Sequence, residues 1–253
     1  MLSKAEIQLI RSLDHKKFRI HNRLFAVEGS KIVSEMLVAN PACIHTVYAS
    51  PAWLDSLPAG STGNFNYKAT SPGEMERISF MKSPQEALAL VHLVEPEWKV
   101  QEIMTGISLV LDRIQDPGNV GTIIRIAHWF GISTVICSMD TADLYNTKTI
   151  QATMGSFMHV KVFYRDLPSL LSEFAATEDF VIYGTFLEGE SLYSQALGKK
   201  GFVVLGNEST GISPELYSFI SRRLMIPSFA GASGPDSLNV AMAAAIICSE
   251  LRR

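Results

Sequence analysis

The sequence predicts an α/β protein of two domains, a small mixed N-terminal unit followed by a larger unit built on a parallel sheet. From Ile107 onward, apolar strand-like runs alternate with helical segments, which is typical of a parallel sheet covered on both faces. The stretch before it, EPEWKVQEIMTG, is polar and has no clear period. We therefore predict a first domain over 1–94, a linker over 95–106 and a second domain over 107–253. A chain of 253 residues is long enough for both.

The first domain is predicted to alternate strands and helices around one sheet. Residues 30–40 form a helix, because Ile32, Val33, Met36 and Leu37 recur at helical spacing, with Ser30 as its candidate cap. Residues 51–64 are rich in loop-forming residues. The remaining predicted elements are strands over 23–29, 44–50 and 86–94 and a short helical segment over 71–80.

The second domain repeats a strand, a turn and a helix in a regular order. ISLVLDRI is an apolar strand, DPGN is a turn, and VGTIIRIAHWFG is a helix that ends at Gly131. A strand follows at STVICS. The alternation continues through VKVFY, LPSLLSEFAA, FVIYGTFL, GFVVLGNE, SPELYSFISRR, LMIPSF and a terminal helix.

Composition excludes several classes of protein. A hydrophobic fraction of 47% and a charged fraction of 19% argue against disorder. The most apolar run, Val240 to Cys248, is half the length needed to span a bilayer, so it predicts a buried helix and no membrane association. The N-terminus lacks the features of a signal peptide, and the three cysteines form no CxxC. We expect reduced thiols, a cytoplasmic protein and no metal site.

A basic cluster lies at residues 11–23, although the net charge of −3 does not indicate a nucleic-acid binder. The cluster has Asp14 as its only acidic residue. Taken alone, such a cluster favours a solvated helix face. Its five cations are Arg11, Lys16, Lys17, Arg19 and Arg23.

Three loops of the second domain place glycines and polar residues where the chain leaves an apolar strand or enters a helix. The first leads into a helix carrying Arg125, with Asn119 as its candidate cap. The second is bracketed by Gly206 and Gly211 and contains Glu208, which could bind an arginine or face solvent. The third precedes the terminal helix, with Ser237 as cap and Asn239 in the first turn. In open parallel sheets, ligands bind beyond the carboxyl ends of the strands, which is where these loops are expected to lie.

Other interpretations of these loops require sequence motifs that the chain lacks. The chain contains no GxGxxG, so a nucleotide-dependent oxidoreductase lacks its fingerprint. It contains neither a Walker-type Gly-Lys-Ser/Thr nor a GxSxG nucleophile elbow.

Three motifs, NVGTIIR…A (119–127), LGNESTGIS (205–213) and IPSFAGASGPDSLNVAMAAAI (226–246), closely resemble those of the SpoU/TrmH family of RNA ribose 2′-O-methyltransferases in the SPOUT superfamily. The stretch KKFRIHNRLFAVEGSKIVSEML resembles the ribosomal-protein-like RNA-binding domain often fused ahead of that catalytic domain. The resemblance implies a deep C-terminal trefoil knot, an exception to the rule against knots. It also implies S-adenosyl-L-methionine as methyl donor and a homodimer formed by the catalytic domain.

The resemblance also implies roles for individual residues. The residues expected at the reaction centre are Asn119, Arg125, Glu208, Ser237 and Asn239. The residues expected to bind the cofactor are Thr185, Gly206, Asn207, Gly211, Ile226 and Leu238. The residues expected to contact RNA are Lys16, Lys17, Arg19 and Arg23. The small residues before Ser237 are expected to turn the chain tightly around a ligand. The second motif has Ser209-Thr210 where many members have glycine after the Glu.

The implied reaction is in-line transfer of a sulfonium methyl group to a ribose 2′-hydroxyl. Because guanidinium stays protonated in proteins, Arg125 is expected to act as a cation that lowers the pKa of the hydroxyl or grips a phosphate, held by Glu208 and Asn119. The resemblance of the N-terminal domain to a ribosomal-protein-like domain makes ribosomal RNA the expected substrate in preference to transfer RNA. Two alternatives remain: the same chemistry on transfer RNA, and a non-catalytic RNA-binding or assembly protein that kept the fold.

Overall fold

The computed structural model describes residues 1–58, 65–230 and 236–253. The chain forms two compact units, the first made of Met1–Glu95 with Tyr145–Gly155 and the second of Pro96–Leu144 with Ser156–Arg253. The segment 145–155, expected in the second domain, thus belongs to the first unit. The stretch 231–235, expected to turn around a ligand, lies outside the described residues.

The first unit contains a mixed four-stranded sheet in the order β1-β4-β2-β3. The first two pairings in this order are antiparallel, whereas β2 and β3 run parallel. The predicted strands over 23–29, 44–50 and 86–94 are confirmed, whereas β3 is a short exposed edge strand without an apolar pattern. The strands are β1 Leu24–Glu28, β2 Ile44–Ala49, β3 Tyr67–Ala69 and β4 Ala87–His92.

The second unit contains a six-stranded sheet in the order β10-β8-β9-β5-β6-β7, and every neighbouring pair is parallel. This confirms the parallel sheet predicted from the alternating pattern. The last strand begins two residues before the predicted LMIPSF segment. The strands are β5 Ile107–Leu111, β6 Thr134–Cys137, β7 Lys161–Tyr164, β8 Val181–Ser191, β9 Gly201–Leu205 and β10 Arg222–Met225.

Ten α-helices accompany the two sheets in the described ranges. They are α1 Lys4–Ser12, α2 Lys16–Asn22, α3 Ser30–Ala39, α4 Pro51–Ser56, α5 Pro72–Ile78, α6 Val100–Met104, α7 Pro117–Trp129, α8 Thr147–Thr153, α9 Leu167–Ala175 and α10 Val240–Leu251. The predicted linker contains α6, whose Ile103 is buried in the core of the second unit. None of these helices is long and apolar enough to cross a membrane.

Local sequence explains where several helices begin. Helices α1 and α5 start with capping boxes, Ser3 with Glu6 and Ser71 with Glu74, in which each partner bonds to the other's backbone N–H. Helix α3 is preceded by Gly29 at a φ of 134°, so Ser30 is the first helical residue and the cap predicted there is wrong. A 3-10 helix over Pro214–Phe219 replaces the longer element predicted over 213–223.

The topology brings the loops that follow β5 and β9 together. These two strands are neighbours in the parallel sheet, and the backbone N–H of Asp112, just after β5, donates to the Leu205 carbonyl at the end of β9 (2.9 Å). The last helix, α10, packs on α7, the helix that follows β5. The Arg252 side chain secures the far end of this pair, since its Nε donates to the Phe130 carbonyl (2.7 Å). The segments that follow β5 and β9 therefore meet at the carboxyl edge of the sheet, which is where ligands of open parallel sheets bind.

Candidate active site

Three segments that lie far apart in the sequence meet through a chain of side-chain hydrogen bonds. The Asn119 amide nitrogen, on the first turn of α7, donates to Glu208 Oε1 in the loop after β9 (2.7 Å). The Asn239 amide nitrogen, at the start of α10, donates to Asn119 Oδ1 (3.0 Å). All three side chains are exposed at this edge or partly so, and they are three of the five residues predicted at the reaction centre.

Asn239 also caps α10. Its Oδ1 accepts from the backbone N–H groups of Ala241 (3.0 Å) and Met242 (3.3 Å), so the two ends of one carboxamide serve the helix and the polar chain. The prediction that Ser237 caps this helix is wrong, because Ser237 lies two residues earlier and is exposed.

Helix α7 is capped by Asp116. The prediction that Asn119 caps this helix is wrong. Asp116 Oδ1 accepts from the Asn119 backbone N–H (2.8 Å), and Pro117 occupies the first helical position, where its missing N–H costs no hydrogen bond. The Asn119 carboxamide is consequently not needed by the helix and is available to Glu208 and Asn239.

The loop after β9 folds back on itself. A side chain at Gly206 would come within 2.3 Å of the Gly211 backbone, so only glycine fits there. Asn207 and Gly211 exchange two backbone hydrogen bonds (3.0 and 2.9 Å). The Asn207 Oδ1 accepts from the N–H groups of Ser209 and Thr210, and its Nδ2 donates to the Arg113 carbonyl (2.7 Å). Asn207, predicted to bind a cofactor, therefore uses its side chain to shape the loop.

A buried carboxylate that the sequence analysis missed ties this loop to β5. Asp112 is 3% exposed, and its Oδ2 accepts from both the N–H (2.6 Å) and the hydroxyl (2.7 Å) of Ser213. Arg113 Nε lies 3.4 Å from the other oxygen. An acid placed directly after a buried strand, at the edge where ligands bind, was the signal that could have identified it.

Arg125 is exposed on α7, and its side chain forms no hydrogen bond or ion pair with the described part of the chain. The expected support by Glu208 and Asn119 is therefore not found there, because these two residues bond to each other. One turn along the same face of α7 lies Trp129, whose side chain is 84% exposed. The guanidinium is thus a cation that no described acid neutralises, one helical turn from an exposed aromatic residue.

The other residues predicted for cofactor binding lie midway along β8 beside the carboxyl end of β9, in the segments that follow β9 and β10, and just before α10. Thr185 donates its hydroxyl to the Val204 carbonyl (3.1 Å), which fixes β8 against β9 at this edge. Ile226 directly follows β10 and is half-buried. Leu238, just before α10, is 49% exposed. Gly211 has a φ of 69°, in the left-handed region that favours glycine.

Two of the three cysteines lie buried in the second unit. Burial raises the pKa of the Cys137 thiol, at the end of β6, and that of Cys248, on α10, to about 12 in the second case, so both are neutral thiols at physiological pH. Within the described ranges, no group of three or more His, Cys, Asp or Glu side chains is arranged to hold a metal ion.

Comparison with known families gives this arrangement a context. Residues 106–249 match the model of the SpoU rRNA Methylase family, which is more than half of the chain. The chain belongs to the SpoU rRNA methylase family. Residues 4–89 match a second model, the MRM3-like substrate binding domain, so the predicted two-part resemblance is confirmed.

Relatives of this SpoU family protein align along nearly its whole length. The 23S rRNA (guanosine(2553)-2′-O)-methyltransferase RlmP of Bacillus subtilis is 31% identical over 96% of this chain and 94% of its own. A solved structure assigned to the TrmH RNA methyltransferase family, from Porphyromonas gingivalis, has a TM-score of 0.86 at 38% identity, covering 100% of this chain and 98% of its own. An AdoMet-bound rRNA methyltransferase from Sinorhizobium meliloti has a TM-score of 0.85 at 25% identity, with coverages of 100% and 96%.

The four residues predicted to contact RNA lie in the part that matches the substrate binding domain. The structure shows that they differ in exposure to solvent. Lys16 and Lys17 are exposed on α2, and Arg23 is exposed next to Glu95 (3.3 Å). Arg19 is buried, and its Nη1 donates to the carbonyls of Leu13 and Asp14, both at 2.7 Å. The guanidinium of Arg19 therefore holds α2 against the residues that follow α1. The prediction that Arg19 contacts RNA is wrong.

Proposed function

We propose that this SpoU family protein methylates a ribose 2′-hydroxyl of ribosomal RNA with S-adenosyl-L-methionine as the methyl donor. The observation that carries the proposal is the hydrogen-bonded chain Glu208–Asn119–Asn239, which joins the three motifs of the resemblance at one edge of the sheet. The relatives from Bacillus subtilis and Sinorhizobium meliloti, an rRNA 2′-O-methyltransferase and an AdoMet-bound rRNA methyltransferase, support the substrate and the donor.

The residues at this edge fit an adenosine-based methyl donor. Gly206 has no room for a side chain against the Gly211 backbone, and Gly211 has a left-handed φ, so the loop folds tightly and offers a ligand main-chain groups at this edge. Ile226 and the exposed Leu238 supply apolar surface for a purine ring, and Thr185 borders the same edge. The bound donor supplies an activated sulfonium methyl group, so no metal is required for the transfer.

The protein must then orient a very weak acid and stabilise the charge that develops on its oxygen. Arg125 provides a cation that no acid in the described residues neutralises, suited to an alkoxide or an adjacent phosphate. Asn119 bonds to Glu208 and Asn239 bonds to Asn119, so the two residues present a fixed amide pair that orients the nucleotide. Ser237, exposed next to them, contributes a hydroxyl to the same task. Positioning supplies much of the acceleration, because the methyl donor is already reactive.

RNA recognition is assigned mainly to the first unit. That unit carries 11 Lys and Arg against 9 Asp and Glu, whereas the second carries 11 against 16. The excess of positive charge therefore lies with the substrate binding domain and its exposed Lys16, Lys17 and Arg23. A local patch of this kind suffices for RNA recognised through its shape and its loops.

We further propose that the protein is a homodimer and that its C-terminus is knotted. Exposed Trp129 on α7 and Met242 on α10 leave apolar surface on two helices that pack together, which supports self-association there. The knot is supported by the path of the chain. Strand β10 lies at one edge of the sheet, yet α10, the next described element after it, packs on α7, the helix that follows the interior strand β5.

The experiment that tests the function is a methylation assay with transcribed 23S ribosomal RNA and labelled S-adenosyl-L-methionine. Its complement is a map of ribose methylation in RNA from a strain that lacks the protein. We expect one ribose methylation in 23S RNA to disappear in that strain and to be restored in the assay. A lost mark in transfer RNA would instead identify that substrate. Normal methylation throughout, with no donor binding by the purified protein, would leave the non-catalytic alternative.

A further inference from the structure

Helix α2 presents the opposite of the usual burial pattern. A surface helix normally buries an apolar stripe and exposes polar residues. In α2, the one buried side chain is Arg19, whereas Phe18 is 37% exposed and Ile20 is 57% exposed. A cation therefore anchors this helix, whereas an aromatic ring and a branched aliphatic side chain are exposed to solvent.

The anchor makes α2 a fixed platform. Arg19 Nη1 bonds to two carbonyl groups, those of Leu13 and Asp14, just beyond the end of α1. The helix ends at Arg23, which adopts a left-handed backbone at φ 54° and leads directly into β1. Both ends of this short helix are thus fixed to ordered elements, so its outward face has a defined position.

The outward face combines an exposed ring with positive charge. Lys17 Nζ lies 4.9 Å from the centroid of the Phe18 ring, and the His15 ring lies 6.3 Å away. The sequence of the helix, KKFRIHN, contains no acidic residue. An exposed aromatic ring beside a cation is the arrangement that proteins use to stack a nucleic-acid base while the cation binds its phosphate.

We propose that Phe18 stacks on an unpaired base of the substrate RNA, with Lys17 binding the adjoining phosphate. This inference rests on the proposed function, and it adds a contact that the basic residues cannot provide. Phosphate contacts alone do not distinguish a loop from a duplex, whereas stacking requires a base that has left the helix. Phe18 thereby selects a single-stranded loop or bulge in the RNA.

The test compares two RNA probes on the full-length protein, a hairpin with an unpaired loop and a fully paired duplex of equal length. Phe18→Ala should weaken hairpin binding about fivefold or more, since one lost stacking contact has roughly that effect, and leave duplex binding within about twofold. Lys17→Ala should weaken binding to both probes and lower the salt slope by about one. Phe18→Trp should retain hairpin binding, and its fluorescence should be quenched when the hairpin binds.

Two matched controls separate stacking from a general apolar contact. Val38→Ala removes an exposed apolar side chain from α3 of the same unit and should change neither affinity. Phe18→Leu keeps apolar area but loses the flat ring, so it should behave like Phe18→Ala. Unchanged thermal unfolding and S-adenosyl-L-methionine binding in each variant would show that the fold is intact.

The outcomes are distinguishable from a failure of the proposed function. If the wild-type protein methylates RNA while Phe18→Ala binds the hairpin as tightly as wild type does, the stacking proposal alone is overturned. If Phe18→Leu matches wild type, Phe18 is an apolar docking residue, for example for a protein partner, and the proposal is equally overturned. If the wild-type protein neither binds nor methylates RNA, the proposed function itself fails.

Discussion

Asn239 connects stability and function through opposite ends of one side chain. Its carbonyl oxygen accepts two N–H groups of α10, and its amide nitrogen donates to Asn119. Because the two ends differ chemically, a substitution can remove one role and keep the other.

Asn239→Asp retains an oxygen for the cap and removes the N–H that Asn119 accepts. We expect thermal unfolding close to that of wild type, since Asp and Asn are equally good caps. Methylation should fall by roughly a hundredfold, because a misplaced reacting group costs about that much. Asn239→Ala should lose activity and also about 1 kcal/mol of stability. A wild-type methylation rate in Asn239→Asp would contradict the role assigned to the amide.

Arg125 is the other residue whose chemistry can be isolated. Arg125→Ala should reduce methylation by about a hundredfold or more, because it removes the cation that stabilises developing charge, while the affinity for S-adenosyl-L-methionine stays within about twofold of wild type. Calorimetry with the donor and a single-turnover methylation assay measure the two effects. Arg253→Ala, an exposed arginine on the same unit that pairs with Glu250, is the matched control. Full activity in Arg125→Ala would refute the assignment.

At the scale of elements, the parallel sheet was predictable because its interior strands β5, β6 and β9 are largely apolar runs that are buried throughout, as expected of strands covered on both faces. The exposed edge strand β3 carries no such pattern. The cap of α10 was wrongly predicted to be Ser237, because Ser and Asn are both good caps and the sequence does not show that the Asn239 side chain accepts the first N–H groups of the helix. Arg19 was misread because a cluster of charges in sequence does not reveal which one turns inward.

The site itself was predictable only in part. The resemblance supplied Asn119, Glu208 and Asn239, and the structure joins these three by hydrogen bonds. The roles of Asp112 and Asn207 depend on backbone N–H groups of a loop whose path no sequence pattern describes.

The capping boxes of α1 and α5 make the first unit sensitive to acid. A hydrogen bond from Lys68 and the groups of Ser3 lower the pKa of Glu6 to about 2, and the N–H groups of Ser71 and Leu2 with the Ser71 hydroxyl lower that of Glu74 to about 2. Both carboxylates have a lower pKa folded than unfolded, so their stabilisation is complete above the ordinary carboxyl range. It is lost as the pH falls from about 5 towards 2.

We therefore expect the melting temperature, followed by circular dichroism, to drop as the pH falls through that range. Replacing both residues, Glu6→Gln with Glu74→Gln, should lower stability at pH 7 and flatten part of the acid dependence. Glu35→Gln, on α3 of the same unit, serves as the control. An unchanged acid slope in the double variant would show that other groups govern the transition.

At the scale of the whole molecule, the first unit is not a continuous piece of sequence. It includes 145–155, where the Tyr145 ring packs on Phe25 of β1 with centroids 4.6 Å apart and its hydroxyl donates to the Val94 carbonyl (3.0 Å). Helix α8, in the same segment, also packs on β1.

A fragment of residues 1–95 should therefore be less stable than the unit in the full chain, because β1 loses apolar cover that α8 and Tyr145 provide. We expect it to bind a hydrophobic dye and to unfold without a sharp transition. Joining 145–155 to its end through a short Gly/Ser connector should restore cooperative unfolding, whereas a scrambled 145–155 segment should not. Equal cooperativity with and without the native segment would show that α8 is dispensable.

This interleaving also bears on how such proteins are inherited and recombined. A single genetic crossover near codon 95 would transfer the first unit without the eleven-residue segment that completes it. A chimera between distant relatives would then pair one protein's β1 with another's α8, two surfaces with no shared history of selection. We therefore expect the two stretches to be exchanged together or not at all, so that a change in RNA target arises by substitution within the unit more readily than by exchange of the unit.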